Sequence, residues 1–172
     1  DRTKMSSSEA ESALIVRAGN DVLRVALKAG REQAEDYSSA TVISCDSRID
    51  VKILSCKWSG TSVVFNYSLT NTGLGDISDF SLGSSSYTTI YDDKGNEYTY
   101  WYITFRDSST DSNSYKTITT RFPEGPECKG SITLKNVPSD VKNITYLLHA
   151  YIHYGTPLSG DRISFKNVPI FR

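Results

Sequence analysis

The densest group of chemically useful side chains is the run Tyr98-Thr99-Tyr100-Trp101-Tyr102. Read as an extended strand, it turns Tyr98, Tyr100 and Tyr102 to one face and Trp101, Ile103 and Phe105 to the other. The apolar trio reads as core. A row of tyrosines presents flat apolar rings with hydroxyl tips, a surface on which a sugar ring stacks. The same row equally serves as cross-strand pairs that stabilise a sheet, or as a face covered by a helix. A second group, Asp92, Asp93, Asn96 and Glu97, gathers side-chain oxygens of the kind calcium takes six to eight of. Asp107 and Asp111 join it only if loops at one end of the fold converge. Asp92-x-x-Gly95-Asn96 is also an ordinary hairpin turn, in which glycine supplies the positive φ.

Other chemistries find less support. His149 and His153 are the two histidines of the chain. On a strand they share a face but stand about 13 Å apart, too far to chelate one ion. There is no G-x-S-x-G, no H-E-x-x-H and no phosphate-binding loop, and no histidine can be set beside a nucleophile. The expectation is a chain that is not an enzyme and that needs no cofactor. Net charge is −1, from 19 basic and 20 acidic residues, so no field of one sign attracts nucleic acid or an anionic membrane. No apolar run is long enough to span a bilayer as a helix. Cys45, Cys56 and Cys128 allow one disulfide at most, Cys45–Cys56 or Cys56–Cys128, or three buried thiols.

The elements that must position these groups are organised around Thr61 to Gly73. Val63, Phe65, Tyr67 and Leu69 alternate with Asn66, Ser68 and Thr70, and Asn71-Thr72-Gly73 ends the run with turn chemistry. Arg48 to Cys56 pairs with it as a hairpin through Lys57-Trp58-Ser59-Gly60. Leu74 to Gly83 reads as a crossing loop. Strands follow at 84–91, 98–105, 115–122, 128–137, 143–154 and 162–171, with a short one within 37–46. Arg106 to Ser114 has the composition of a loop tip. Ahead of the sheet, Ser8-Glu9-Ala10-Glu11 matches a capping box. Ala10, Leu14, Ala18, Val22 and Ala26 keep helical spacing, with Gly19 as a weak point. The spacing predicts an N-terminal lead and helix over 1–40 and one β domain over 41–172. The segment 132–138 (ITLKNVP) recurs as 163–169 (ISFKNVP), two similar strand ends closed by proline. About eight strands at short, regular spacing with no alternating helices indicate an antiparallel sandwich.

The turn motifs carry a resemblance. They are Trp58-Ser59-Gly60, Thr70-Asn71-Thr72-Gly73, the Asp92–Tyr98 turn, Phe122-Pro123-Glu124-Gly125 and Lys129-Gly130-Ser131-Ile132. Asn71, Asp93, Gly95, Asn96, Glu97, Gly125 and Gly130 bear most of it. Over about 49–171 the chain resembles the immunoglobulin-like domain of unknown function found in bacterial, Bacteroidetes-like secreted proteins and lipoproteins, a family similar in fold to a mycobacterial secreted immunoprotective antigen. The resemblance implies an immunoglobulin-like antiparallel β-sandwich preceded by an α-helix, exported to the periplasm, cell surface or medium. Any signal peptide or lipid tether would lie upstream of Asp1. The function expected is a non-catalytic binding or adhesion-type module at the cell envelope. It would meet an unknown protein or glycan through the 92–97 and 106–114 loops or the tyrosine face. The alternative is a carbohydrate-binding module using Tyr98, Tyr100 and Tyr102.

Overall fold

The computed structural model describes residues 9–18, 21–30, 34–84, 86–114, 116–152 and 162–172. The chain divides into two units, 1–35 and 36–172. The described residues are mainly β and contain no helix.

In the first unit, β1 (Glu9–Ala18) pairs antiparallel with β2 (Asp21–Gly30), from Glu9 opposite Gly30 to Ala18 opposite Asp21. This corrects the expected helix. Residues four apart share a helix face, but they also share a strand face, because four is a multiple of two. Ala10, Leu14, Ala18, Val22 and Ala26 therefore fit both periods. The continuous run Ala13-Leu14-Ile15-Val16 and the turn-forming composition of Gly19-Asn20 favour the hairpin.

The second unit consists of two antiparallel sheets. One contains β4 (Ile49–Ser59), β5 (Ser62–Asn71), β11 (Glu127–Leu134), β8 (Trp101–Phe105) and β9 (Ser108–Asp111), in that order. The other is ordered β10 (Ile118–Phe122), β6 (Ile77–Leu82), β12 (Asn143–Ile152), β13 (Arg162–Pro169) and β3 (Thr41–Ile43), while β7 (Thr89–Asp92) pairs with the first half of β12. The loops expected at 74–83 and 106–114 thus each contain a strand, β6 and β9. β9 gives its sheet no apolar side chain, whereas half of the β6 residues are apolar and buried. Ile77, Phe80 and Leu82 are buried from β6, and Thr110 alone from β9.

The core lies between the sheets. Val63, Phe65, Tyr67 and Leu69 are fully buried, as their alternation requires. The Phe65 ring stacks on Tyr146 of β12 at 4.5 Å and meets Phe165 of β13 edge-on at 4.8 Å. Elsewhere in the core Phe105 meets Phe80 at a tilt and Phe122 edge-on. Complete burial of each such ring contributes about 2 kcal/mol. Tyr67 has a bare backbone opposite it: a Cβ on Gly130 of β11 would lie 2.5 Å from the Tyr67 ring and 2.7 Å from the Thr104 carbonyl oxygen. Only glycine fits there.

The repeated ITLKNVP and ISFKNVP segments are one device used twice. Asn136 and Asn167 hold φ of 56° and 55°, a left-handed conformation that asparagine tolerates. The left-handed residue drops Val137 into the core just after β11, and Val168 into the core within β13, opposite the register shift in β12. Cys45, Cys56 and Cys128 are all buried thiols, and no disulfide joins them.

Candidate functional site

The strand β8 places the aromatic run. Trp101, Ile103 and Phe105 point inward, while Tyr102 is 44 % and Tyr100 65 % exposed. Tyr98 lies outside the strand and departs from the row: its ring packs against the core and its hydroxyl donates to Asp92 Oδ2 at 2.9 Å. The expected three-tyrosine face is therefore two exposed tyrosines, Tyr100 and Tyr102. Tyr98 has gone to the Asp92 hairpin.

Registers fix what surrounds the pair. Tyr102 stands opposite Thr133 of β11 and Asp111 of β9. Tyr100, which directly precedes β8, lines one groove with these residues and with Lys135 and Asn113. The groove has a volume of about 300 Å³, at the small end of ligand-site volumes. The β9 side is a built turn. Asp111 Oδ1 accepts from the backbone N–H of Asn113 (2.9 Å) and Ser114 (2.8 Å). Ser112 N–H donates to the Trp101 carbonyl at 3.1 Å, tying the turn to β8. Thr110 Oγ1 donates to the Lys116 carbonyl at 2.7 Å. On the β11 side, Lys135 directly follows the strand and is exposed, and the left-handed Asn136 then leads into buried Val137. Ser112 and Asn113 belong to the 106–114 segment expected to make contacts, and the pairing of β9 with β8 brings them to the tyrosines. Sequence reasoning missed Thr133 and Lys135, which the pairing of β11 with β8 brings to the same place.

The second candidate, Asp92 with Asp93, Asn96 and Glu97, folds as a hairpin turn. Asp92 Oδ1 accepts from the N–H groups of Lys94 and Asn96, both at 2.9 Å. Its Oδ2 accepts from Asn96 Nδ2 (2.8 Å) and Tyr98 Oη (2.9 Å). Burial works to raise the Asp92 pKa, but the hydrogen bonds from Asn96, Lys94 and Tyr98 together outweigh it and hold the carboxyl below its ordinary value. Burial and the Asp92 carboxylate push the Tyr98 phenol far up. Gly95 takes φ 82°, as the turn needs. Asp93 Oδ1 accepts from Lys142 N–H at 3.3 Å, and Lys94 pairs with Asp140. The oxygens of Asp92 thus face protein donors, which a cation would have to displace. Among the described residues no three His, Cys, Asp or Glu side chains gather as a metal-holding group.

The His149 ring packs at a tilt against Tyr87 with ring centroids 5.1 Å apart, and His153 lies outside the described residues. A further cleft of about 360 Å³ has Trp58 on its floor, with Arg172 5.9 Å over the indole and donating to the Ser139 carbonyl at 3.0 Å. Its guanidinium is thereby engaged with the protein itself. No helix among the described residues is long and apolar enough to cross a membrane.

No family model matches the chain, and no curated protein matches it. Among solved structures it is similar to AvmM, described as catalysing macrocyclization in alchivemycin A biosynthesis. The identity is 11%, the TM-score 0.44, and the match covers 74% of this chain and 90% of that one. AvmM is described as an enzyme, which stands against the expectation that the present chain is not one, and that expectation is not retained. A likeness of this depth carries no activity from one chain to the other.

Proposed function

We propose that the chain is a binding module whose site is the groove at Tyr100 and Tyr102, and whose ligand is a saccharide. One observation carries the reading. Two tyrosine rings, 65 % and 44 % exposed, lie side by side on the outer sheet face, while Tyr67 and Tyr146 are fully buried in the same fold. An exposed aromatic pair is the informative departure from ordinary burial. Around the rings stand a carboxylate (Asp111), an amide (Asn113), hydroxyls (Ser112, Thr133) and an ammonium (Lys135). Apolar rings flanked by convergent polar groups suit a ligand with an apolar ring face and hydroxyls around its edge.

An immunoglobulin-like sandwich, membership of the extracellular family that the turn motifs resemble, export and a cell-surface partner belong to the same proposal. The support for them is the arrangement of two antiparallel sheets around one core, together with turn residues that are structural in the fold. Asn71, for example, is fully buried and donates to the Gly75 and Phe122 carbonyls.

A glycan array probed with the intact chain, Tyr100→Ala and Tyr102→Ala tests the reading. Selective binding by the unaltered chain, weakened roughly tenfold or more in each variant, or about 1.4 kcal/mol, is the expected result. No binding to any glycan, or binding that survives both substitutions, overturns it.

A further inference from the structure

The groove is asymmetric across its tyrosines. Strand order puts β11 on one side of β8 and β9 on the other, so the two rims stand about 10 Å apart, two strand spacings. The β11 rim ends in Lys135, which forms no ion pair with the described residues. Its backbone is held in place, because Asn136 at φ 56° and buried Val137 fix where the chain leaves the outer face. The β9 rim carries the opposite sign. Asp111 spends Oδ1 on two backbone donors of its own turn, and no protein donor takes Oδ2 among the described residues. Asn113 lies beside it.

We infer that the saccharide of this groove is acidic and is held in one orientation. Its anionic substituent, a carboxylate or a sulfate ester on the sugar, meets the Lys135 ammonium at the β11 rim. Its neutral hydroxyls meet Asp111 Oδ2 and Asn113 at the β9 rim. This inference rests on the reading of the groove as a saccharide site. The physical argument is sign and place. A ring stacked on Tyr100 and Tyr102 has one edge toward each rim. An anionic edge is attracted at Lys135 and repelled at Asp111, so the two rims act together to select both the charge and the direction of the ligand. The chain's net charge of −1 supplies no general attraction for an anion, so recognition must come from this local pair of rims.

The test uses the intact chain and defined tetrasaccharides: glucuronate, mannuronate and galacturonate oligomers, their neutral hexose counterparts, and the sulfate esters of those neutral forms. Affinities are read by calorimetry for the unaltered chain, Lys135→Ala, Lys135→Glu and Tyr100→Ala, with circular dichroism verifying that each variant is folded. At least one carboxylated or sulfated oligomer should bind about fivefold more tightly than its neutral counterpart, the upper end for a solvent-exposed ion pair. Which of the two series shows the gap identifies the anion. The ratio should fall toward one in Lys135→Ala, invert in Lys135→Glu, and shrink as salt rises. Equal binding of acidic and neutral forms, or a preference untouched in Lys135→Ala, overturns the acidic assignment and leaves the saccharide reading standing. Failure of every oligomer to bind overturns both.

Discussion

Replacement of Gly130 by alanine should be among the most damaging single changes in the second unit. The new Cβ would sit 2.5 Å from Tyr67 Cζ, 2.6 Å from Tyr67 Oη and 2.7 Å from the Thr104 carbonyl oxygen. Neither neighbour can yield cheaply. Tyr67 is fully buried between Phe65 and Phe165. Thr104 O belongs to the backbone of β8, which β11 holds in register from Gly130–Phe105 to Leu134–Trp101. Overpacking of a close-packed core costs about 1–3 kcal/mol, and backbone involvement places this case at the upper end. At roughly 2–4 °C per kcal/mol for a chain of this size, the melting midpoint should drop by about 6–12 °C. Urea unfolding followed by tryptophan fluorescence gives the free energy directly. The double variant with Tyr67→Ala isolates the cause. Once the ring is gone, adding Gly130→Ala should cost less than it does in the unaltered chain, the remainder coming from the Thr104 carbonyl. A cost below about 0.5 kcal/mol in the single variant would refute the steric argument, and an equal cost in both backgrounds would refute the part given to the Tyr67 ring.

Three further outcomes follow from the same packing. Asp92→Asn should cost about 1–3 kcal/mol, because the Tyr98 hydroxyl and the Asn96 amide lose an acceptor. The folded-state pKa of Asp92 lies below its unfolded value, so its contribution is present above the unfolded carboxylate pKa and fades as pH falls through the folded one; acid unfolding curves should show a shallower limb in Asp92→Asn, and an unchanged limb contradicts this. Asn136→Gly and Asn167→Gly should be close to neutral, while the alanine variants cost about 1 kcal/mol each for a left-handed backbone; equal stability of the alanine and glycine forms in thermal melts contradicts it. A thiol reagent should find almost no reactive cysteine in the folded chain and three after denaturation without reductant; a count of one would reveal a disulfide.

The strands whose inner residues alternate cleanly are legible in the sequence. Val63, Phe65, Tyr67 and Leu69 can face only a core, and Trp101, Ile103 and Phe105 likewise. The strands β1, β2 and β9, and a change of face within β4, are hidden for distinct reasons. β1 and β2 carry apolar residues four apart, a spacing that helix and strand share. β9 is an edge strand of serine, threonine and aspartate with Thr110 its one buried side chain, so its composition is that of a loop. β4 changes face through a bulge between Ile53 and Ser55, which leaves Leu54 exposed and turns Cys56 inward. The site is half legible. Tyr100 and Tyr102 stand out in the chain, and alternation groups Tyr98 with them because it does not reveal that the Tyr98 hydroxyl has an acceptor in Asp92. Thr133 and Lys135 come to the groove only through strand register, a long-range property that no local pattern encodes.

The most direct test of the account is chemical-shift mapping of the isotopically labelled chain, titrated with the tetrasaccharide panel. The account predicts that the perturbed amides cluster at 100–102, 111–113 and 133–135, the residues around the exposed tyrosine pair. Perturbation centred instead on 58–61, 137–139 and Arg172, at the Trp58 cleft, or no perturbation with any member of the panel, would contradict it.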